Sequence, residues 1–109
     1  MDLITKDRVI RDGCVAVLYS PGFGAGWSTW DHGDYGSALI FDPMLVDCVE
    51  KQDWDKMATY VAMKYPNLYT GGMHDLTIAW VPVGTLFKIT EYDGSESIEF
   101  KESYGWIVA

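Results

Sequence analysis

Positive charge is scarce in this chain. Lys and Arg number 8 against 16 Asp and Glu in 109 residues, a formal net charge of −8 and a pI near 4.4. A nucleic acid or an anionic bilayer is held by a cationic footprint that displaces counterions, so this balance argues against both as direct partners. Cysteine is equally sparse. Cys14 and Cys48 stand alone in the apolar runs CVAVLY and MLVDCV, with no paired CxxC, so each is expected to be a small, reduced core residue and no metal centre or disulfide framework is indicated. No charged segment followed by an apolar one opens the chain, and no apolar run approaches the ~20 residues that span a bilayer, so a soluble cytoplasmic protein is expected. Fingerprints of known chemistry are missing as well. There is no GxxxxGK, no GxGxxG opening a helix and no GxSxG, and the only imidazoles are His32 and His74. No cofactor, metal or catalytic residue is therefore assigned, and a non-enzymatic role is expected, with a small hydrolase as the enzymatic alternative.

What is present is a core and one unusual loop. Apolar residues make up 49% of the chain and aromatics 15%, enough for a single folded domain over residues 1–109. Pro21 to Gly36 reads PGFGAGWSTWDHGDYG. Glycine raises the conformational entropy lost on ordering, and a tryptophan left in water exposes a large apolar face, so a segment of this composition is a candidate working surface. Its glycine amides suggest a phosphate cradle. However, no Lys or Arg occurs between Arg11 and Lys51, and three aspartates, Asp31, Asp34 and Asp42, follow the glycines, so an anion from outside is disfavoured.

The remaining chain reads as an α+β domain. Asp12-Gly13 predicts a turn before a buried strand over Cys14–Tyr19, which Pro21 and Gly22 end. Asp42-Pro43 predicts a helix from Pro43 to about Lys51, with Asp42 as cap. Asp53 caps a second helix, on which Trp54, Met57, Ala58, Val61 and Tyr65 form the apolar stripe and which Pro66 ends. The alternation of Leu76, Ile78 and Trp80 predicts a strand, Thr85–Tyr92 a second, Asp93-Gly94 a hairpin turn, and Ser97–Lys101 a return strand with Ile98 and Phe100 inward. Tyr104–Val108 is a candidate closing strand. The expectation is one antiparallel sheet of about four to five strands, two helices on one face, and the long Gly/Trp loop after the first strand.

Acidic residues cluster. Asp31, Asp34, Asp42, Asp47, Glu50, Asp53 and Asp55 face only Lys51 in sequence, and Glu91, Asp93, Glu96, Glu99 and Glu102 face only Lys101 besides. Two acidic patches would suit a basic groove on a partner. Trp27 and Trp30, three apart in a loop, are either anchors for an Arg-rich partner or, for one of them, a lid folded back on the core.

The segments GFGAGWSTW, LIFDP, YTGGMHDLTIAWVPVGT and FKITEYDGSESIEF together resemble small uncharacterised proteins encoded by bacteriophages and prophages, over roughly Gly13 to Phe100. That resemblance implies an accessory protein that binds and inhibits a bacterial host protein with a basic surface, such as a CRISPR or other nucleic-acid-binding defence effector. The contact residues expected from charge and aromatic content are Trp27, Trp30, Asp31 and Asp34, with Asp93 and Glu96 at the hairpin tip. The alternative is a small-molecule binder that wraps a nucleotide or sugar against Trp27, Trp30 and Tyr92, and a virion or assembly component is a third reading.

Overall fold

The computed structural model describes residues 3–5, 8–22, 26–31, 35–100 and 107–108. The chain runs β1 (Leu3–Thr5), β2 (Arg8–Arg11), β3 (Cys14–Tyr19), α1 (Ala38–Phe41), α2 (Pro43–Lys51), α3 (Trp54–Lys64), β4 (Thr77–Pro82), β5 (Leu86–Tyr92), β6 (Ser95–Phe100) and β7 (Ile107–Val108). The α+β class expected from sequence is what the chain forms, but with two antiparallel sheets in place of one. A four-stranded sheet has the order β1-β2-β3-β4, and a three-stranded sheet the order β6-β5-β7.

Two tight turns fix the hairpins. Asp12 and Gly13, with φ of 52° and 76°, join β2 to β3, and Asp93 and Gly94, with φ of 52° and 86°, join β5 to β6. Their registers, Arg11↔Cys14 and Tyr92↔Ser95, leave two residues in each turn. Positive φ at both positions matches the right-handed twist of the flanking strands, which is why Asp-Gly is favoured there.

The expected single sheet, with β4, β5 and β6 together, is corrected. β4 pairs along its length with β3, from Cys14↔Pro82 to Tyr19↔Thr77, while β5 pairs with β6 and β7. Pro82 lacks an N–H with which to continue the ladder, and Gly84 at φ +85° turns the chain away. Burial then seats the second sheet. Phe87 and the half-buried Ile89 and Ile98 pack with Val15, Val17, Val81, Ile40 and Phe41. The opposite side of β3, Ala16 and Leu18, meets Trp27, Leu45, Cys48, Met57 and Val61 in a separate core. β3 is thus covered on both faces, which accounts for its unbroken apolar run. Phe100, expected inward, is 53% exposed at the far end of strand β6.

The helix expectations hold at both starts. Asp42 accepts from Met44 N at 2.9 Å, and Asp53 from Lys56 N at 3.2 Å. Met57, Val61 and Tyr65 are buried, whereas Ala58 stays exposed. Among the described residues no helix is long and apolar enough to cross a membrane.

Candidate functional site

Three regions meet beyond the end of β3: the described residues 20–22 and 26–31, the connection from Asn67 to Asp75, and the turn between β5 and β6. Ser95 Oγ donates to Pro21 O at 2.7 Å, and Glu96 N donates to Ser20 O at 2.7 Å. These contacts dock the start of β6 on the end of β3.

Glu96 is the centre of this junction. It is 1% exposed, and its carboxylate accepts from Ser20 N at 2.8 Å on Oε1. On Oε2 it accepts from Trp27 N at 2.8 Å, Thr29 N at 3.0 Å and Thr29 Oγ1 at 2.5 Å. All four groups are donors, so they suit the ionised carboxylate, whose lone pairs they satisfy in place of water. The segment does hold an anion, but through Ser20, Trp27 and Thr29 and not through its glycines, and the anion is a side chain of the same molecule.

Trp27 belongs to the core. Its ring is fully buried, and Nε1 donates to Leu39 O at 2.8 Å. The loop therefore hangs between a tryptophan sunk into the helix-side core and a glutamate reaching in from β6. Placing Trp27 and Glu96 at a partner contact is corrected on this ground, since neither side chain reaches the surface. Trp30 is different. It is half-buried, lies 5.1 Å from the ring of Tyr69, and points Nε1 at Glu91 Oε2, 3.4 Å away. A Cβ on Gly26 would stand 2.6 Å from Trp30 Cδ1, so a residue without a side chain is required where this indole packs. Asp31 follows directly and accepts from Tyr35 N at 3.1 Å. Glu91 accepts from Gly94 N at 2.7 Å, and Asp93 is exposed at the turn. Tyr69 and Tyr92 are 46% and 79% exposed. Asp34 lies outside the described residues, as does His32.

Within the first acidic stretch, Asp42, Asp47 and Glu50 meet cations on folding. Asp47 pairs with Lys51 at 3.1 Å and with Lys56 at 3.8 Å. Arg11 makes two hydrogen bonds to Glu50, at 2.8 and 3.0 Å, and lies over the Trp80 ring. Asp42 is interior: beyond its cap it accepts from Tyr60 OH at 2.8 Å and Tyr65 OH at 2.6 Å, with Lys64 Nζ at 3.3 Å. Burial pushes the Tyr60 hydroxyl above its ordinary value, and the hydrogen bond to Tyr60 holds the Lys64 ammonium above its own. Burial likewise raises the Cys48 thiol. Beside Trp30 the exposed carboxylate is that of Glu91, and Asp93 follows it in the turn between β5 and β6.

Sequence reasoning missed Tyr69 and the inward role of Glu96. For Tyr69 there was no local signal, because its contact with Trp30 spans two loops. For Glu96 there was one. With Ile98 inward, strand alternation puts Glu96 on the same side, opposite Glu91.

Among the described residues no group of three or more His, Cys, Asp or Glu is arranged to hold a metal, and His74 lies edge-on to Trp54 at 5.7 Å. A separate open cavity of about 420 Å³ lies between α3 and the following connection, lined by Ala58, Val61, Tyr65, Leu68, Thr70 and Met73 among others. Comparison of the chain with protein-family models, with curated proteins and with solved structures gives no match.

Proposed function

We propose that this chain is a non-enzymatic binding protein whose working face is the Trp30–Tyr69 pair with Asp31, Glu91 and Asp93, and whose partner presents a basic protein surface. The observation that carries this reading is the contact of Trp30 with both the exposed Tyr69 ring and the exposed Glu91 carboxylate, with Asp31 next to it in the chain. Lys51 and Lys56 pair with Asp47, Lys64 with Asp42 and Arg11 with Glu50, so these cations are engaged by carboxylates outside this face. An arginine on a partner gains both cation–π contact with the rings and charge-assisted hydrogen bonds to the carboxylates. The resemblance to phage-encoded proteins supports a bacterial host protein as that partner. A nucleic-acid-binding defence effector fits, because its phosphate-binding groove has the complementary charge, and occupation of the groove would inhibit it.

The test is binding to a captured partner before and after substitution. Trp30→Ala with Tyr69→Ala is expected to weaken affinity at least about tenfold, the loss typical of a hot-spot aromatic. Affinity should also fall as salt rises, through slower association. Affinity unchanged by both the double substitution and salt contradicts the reading.

A second reading has its own support. The α3 cavity falls within the range of small-molecule sites, so a nucleotide or sugar would be sought there and not against Trp27, whose ring is buried and whose N–H Glu96 already holds. A thermal-shift panel separates the readings, since a ligand at 100 times its Kd adds about 2.7 kcal/mol of stability. No shift across the panel contradicts the small-molecule reading.

A further inference from the structure

We propose that the backbone N–H groups of Ser20, Trp27 and Thr29, with Thr29 Oγ1, form a carboxylate receptor, occupied in the folded chain by Glu96, and that this occupancy locks the Trp30 side of the binding face to its hairpin side. The receptor is assembled from main chain. Three backbone N–H groups, of Ser20, Trp27 and Thr29, and one hydroxyl, Thr29 Oγ1, converge on a single carboxylate. Among the described residues no Lys or Arg shares the site, so the negative charge is held by oriented dipoles alone, as in other backbone nests. The hairpin enters as a peptide ligand would. Glu96 N donates to Ser20 O while Ser20 N donates to Glu96 Oε1, one strand-like hydrogen bond beside one side-chain anchor.

The cradle has supports that do not depend on Glu96. The Trp27 ring is buried and tied by Nε1 to Leu39 O, and Ser20 directly follows the fully paired β3. Removing the glutamate side chain therefore leaves converging donors around a hole of carboxylate size. Those donors are costly to leave unpaired, so a small carboxylate from solution is the ligand the emptied site takes. The effect on partner binding rests on the proposed function; the occupancy of the cradle does not.

The experiment is chemical rescue of the full chain carrying Glu96→Ala. Sodium formate or acetate is compared with sodium chloride at equal ionic strength. At about 200 mM, formate is expected to raise the Tm of the variant by about 5 °C beyond chloride, with no such difference in the wild type. Glu96→Gln fills the hole and adds an NH₂ among donors, so it should gain nothing from formate. The pair Glu96→Ala with Thr29→Val, short of one donor, should gain less than half as much. A Glu96→Ala response equal to that in chloride, or equal to the wild-type response, overturns the receptor. If Glu96→Ala is unfolded in chloride, formate must restore its circular dichroism; a chain unfolded in formate up to about 1 M overturns it too. Partner capture, lost in Glu96→Ala and regained in formate, supports the lock between the two sides. Thermal rescue without regained capture overturns that lock and leaves the receptor standing.

Discussion

A buried carboxylate held only by neutral donors responds to substitution differently from one held in an ion pair. Removing it strands no opposite charge, but it leaves Ser20 N, Trp27 N and the two Thr29 donors unpaired in the interior. Glu96→Gln should therefore cost about 2–4 kcal/mol, and Thr29→Val about 1–2 kcal/mol, read from urea midpoints. The two tryptophans should separate cleanly on the same scale. Trp27→Ala empties a fully buried site and should cost about 3–5 kcal/mol, whereas Trp30→Ala, at the surface, should cost less than about 1 kcal/mol while abolishing most partner affinity. Equal destabilisation by both would contradict their assignment to core and surface. At this scale the sequence was only partly legible. The capping roles of Asp42 and Asp53 follow from their neighbours in the chain, but the second use of Asp42, by Tyr60, Tyr65 and Lys64, depends on how α3 lies against the start of α2.

The two longer helices and the turns were legible because their signals are local, whereas the four-residue α1 was not expected. Pro43 sets the start of α2, and Asp93-Gly94 has backbone angles that few other residue pairs accept. Strand partners were not, since a period-two pattern states which side chains share a face and is silent on the neighbouring strand. The run CVAVLY nevertheless implies cover on both faces of β3, and the second sheet supplies the cover that helices alone do not. Between α2 and α3 the titratable groups give a directional prediction. Cys48, Tyr60 and Lys64 all have folded-state values raised above their ordinary ones. For a raised value the folded form binds the proton more tightly, so the contribution is complete below the unfolded value and declines as pH climbs through the folded one. Stability should thus fall from about pH 9 upward, first through Cys48 and then through Tyr60 and Lys64. Urea midpoints at pH 7, 9 and 10.5 check this, and Cys48→Ala should flatten the first part of the decline. A rise in stability over that range would contradict it.

For the molecule as a whole, net charge proved a coarse guide and its placement a finer one. A chain of charge −8 looks uniformly acidic in sequence, yet folding brings Arg11, Lys51 and Lys56 to the carboxylates of α2 and leaves Glu91 exposed beside Trp30. The Pro21–Gly36 segment reads as a working surface by composition; its described part divides into an inward half, built on Trp27, and an outward half, built on Trp30 and Asp31. The central claim is that the outward half binds a basic protein. Its most direct test is affinity capture from bacterial lysate by the wild-type chain and by Trp30→Ala, side by side at about 50 and 500 mM NaCl, read by quantitative mass spectrometry. The account predicts a protein with a basic groove, retained by the wild type at low salt and depleted at least about tenfold both by the substitution and by high salt. The same proteins recovered in equal amounts by both chains at both salt concentrations would contradict it.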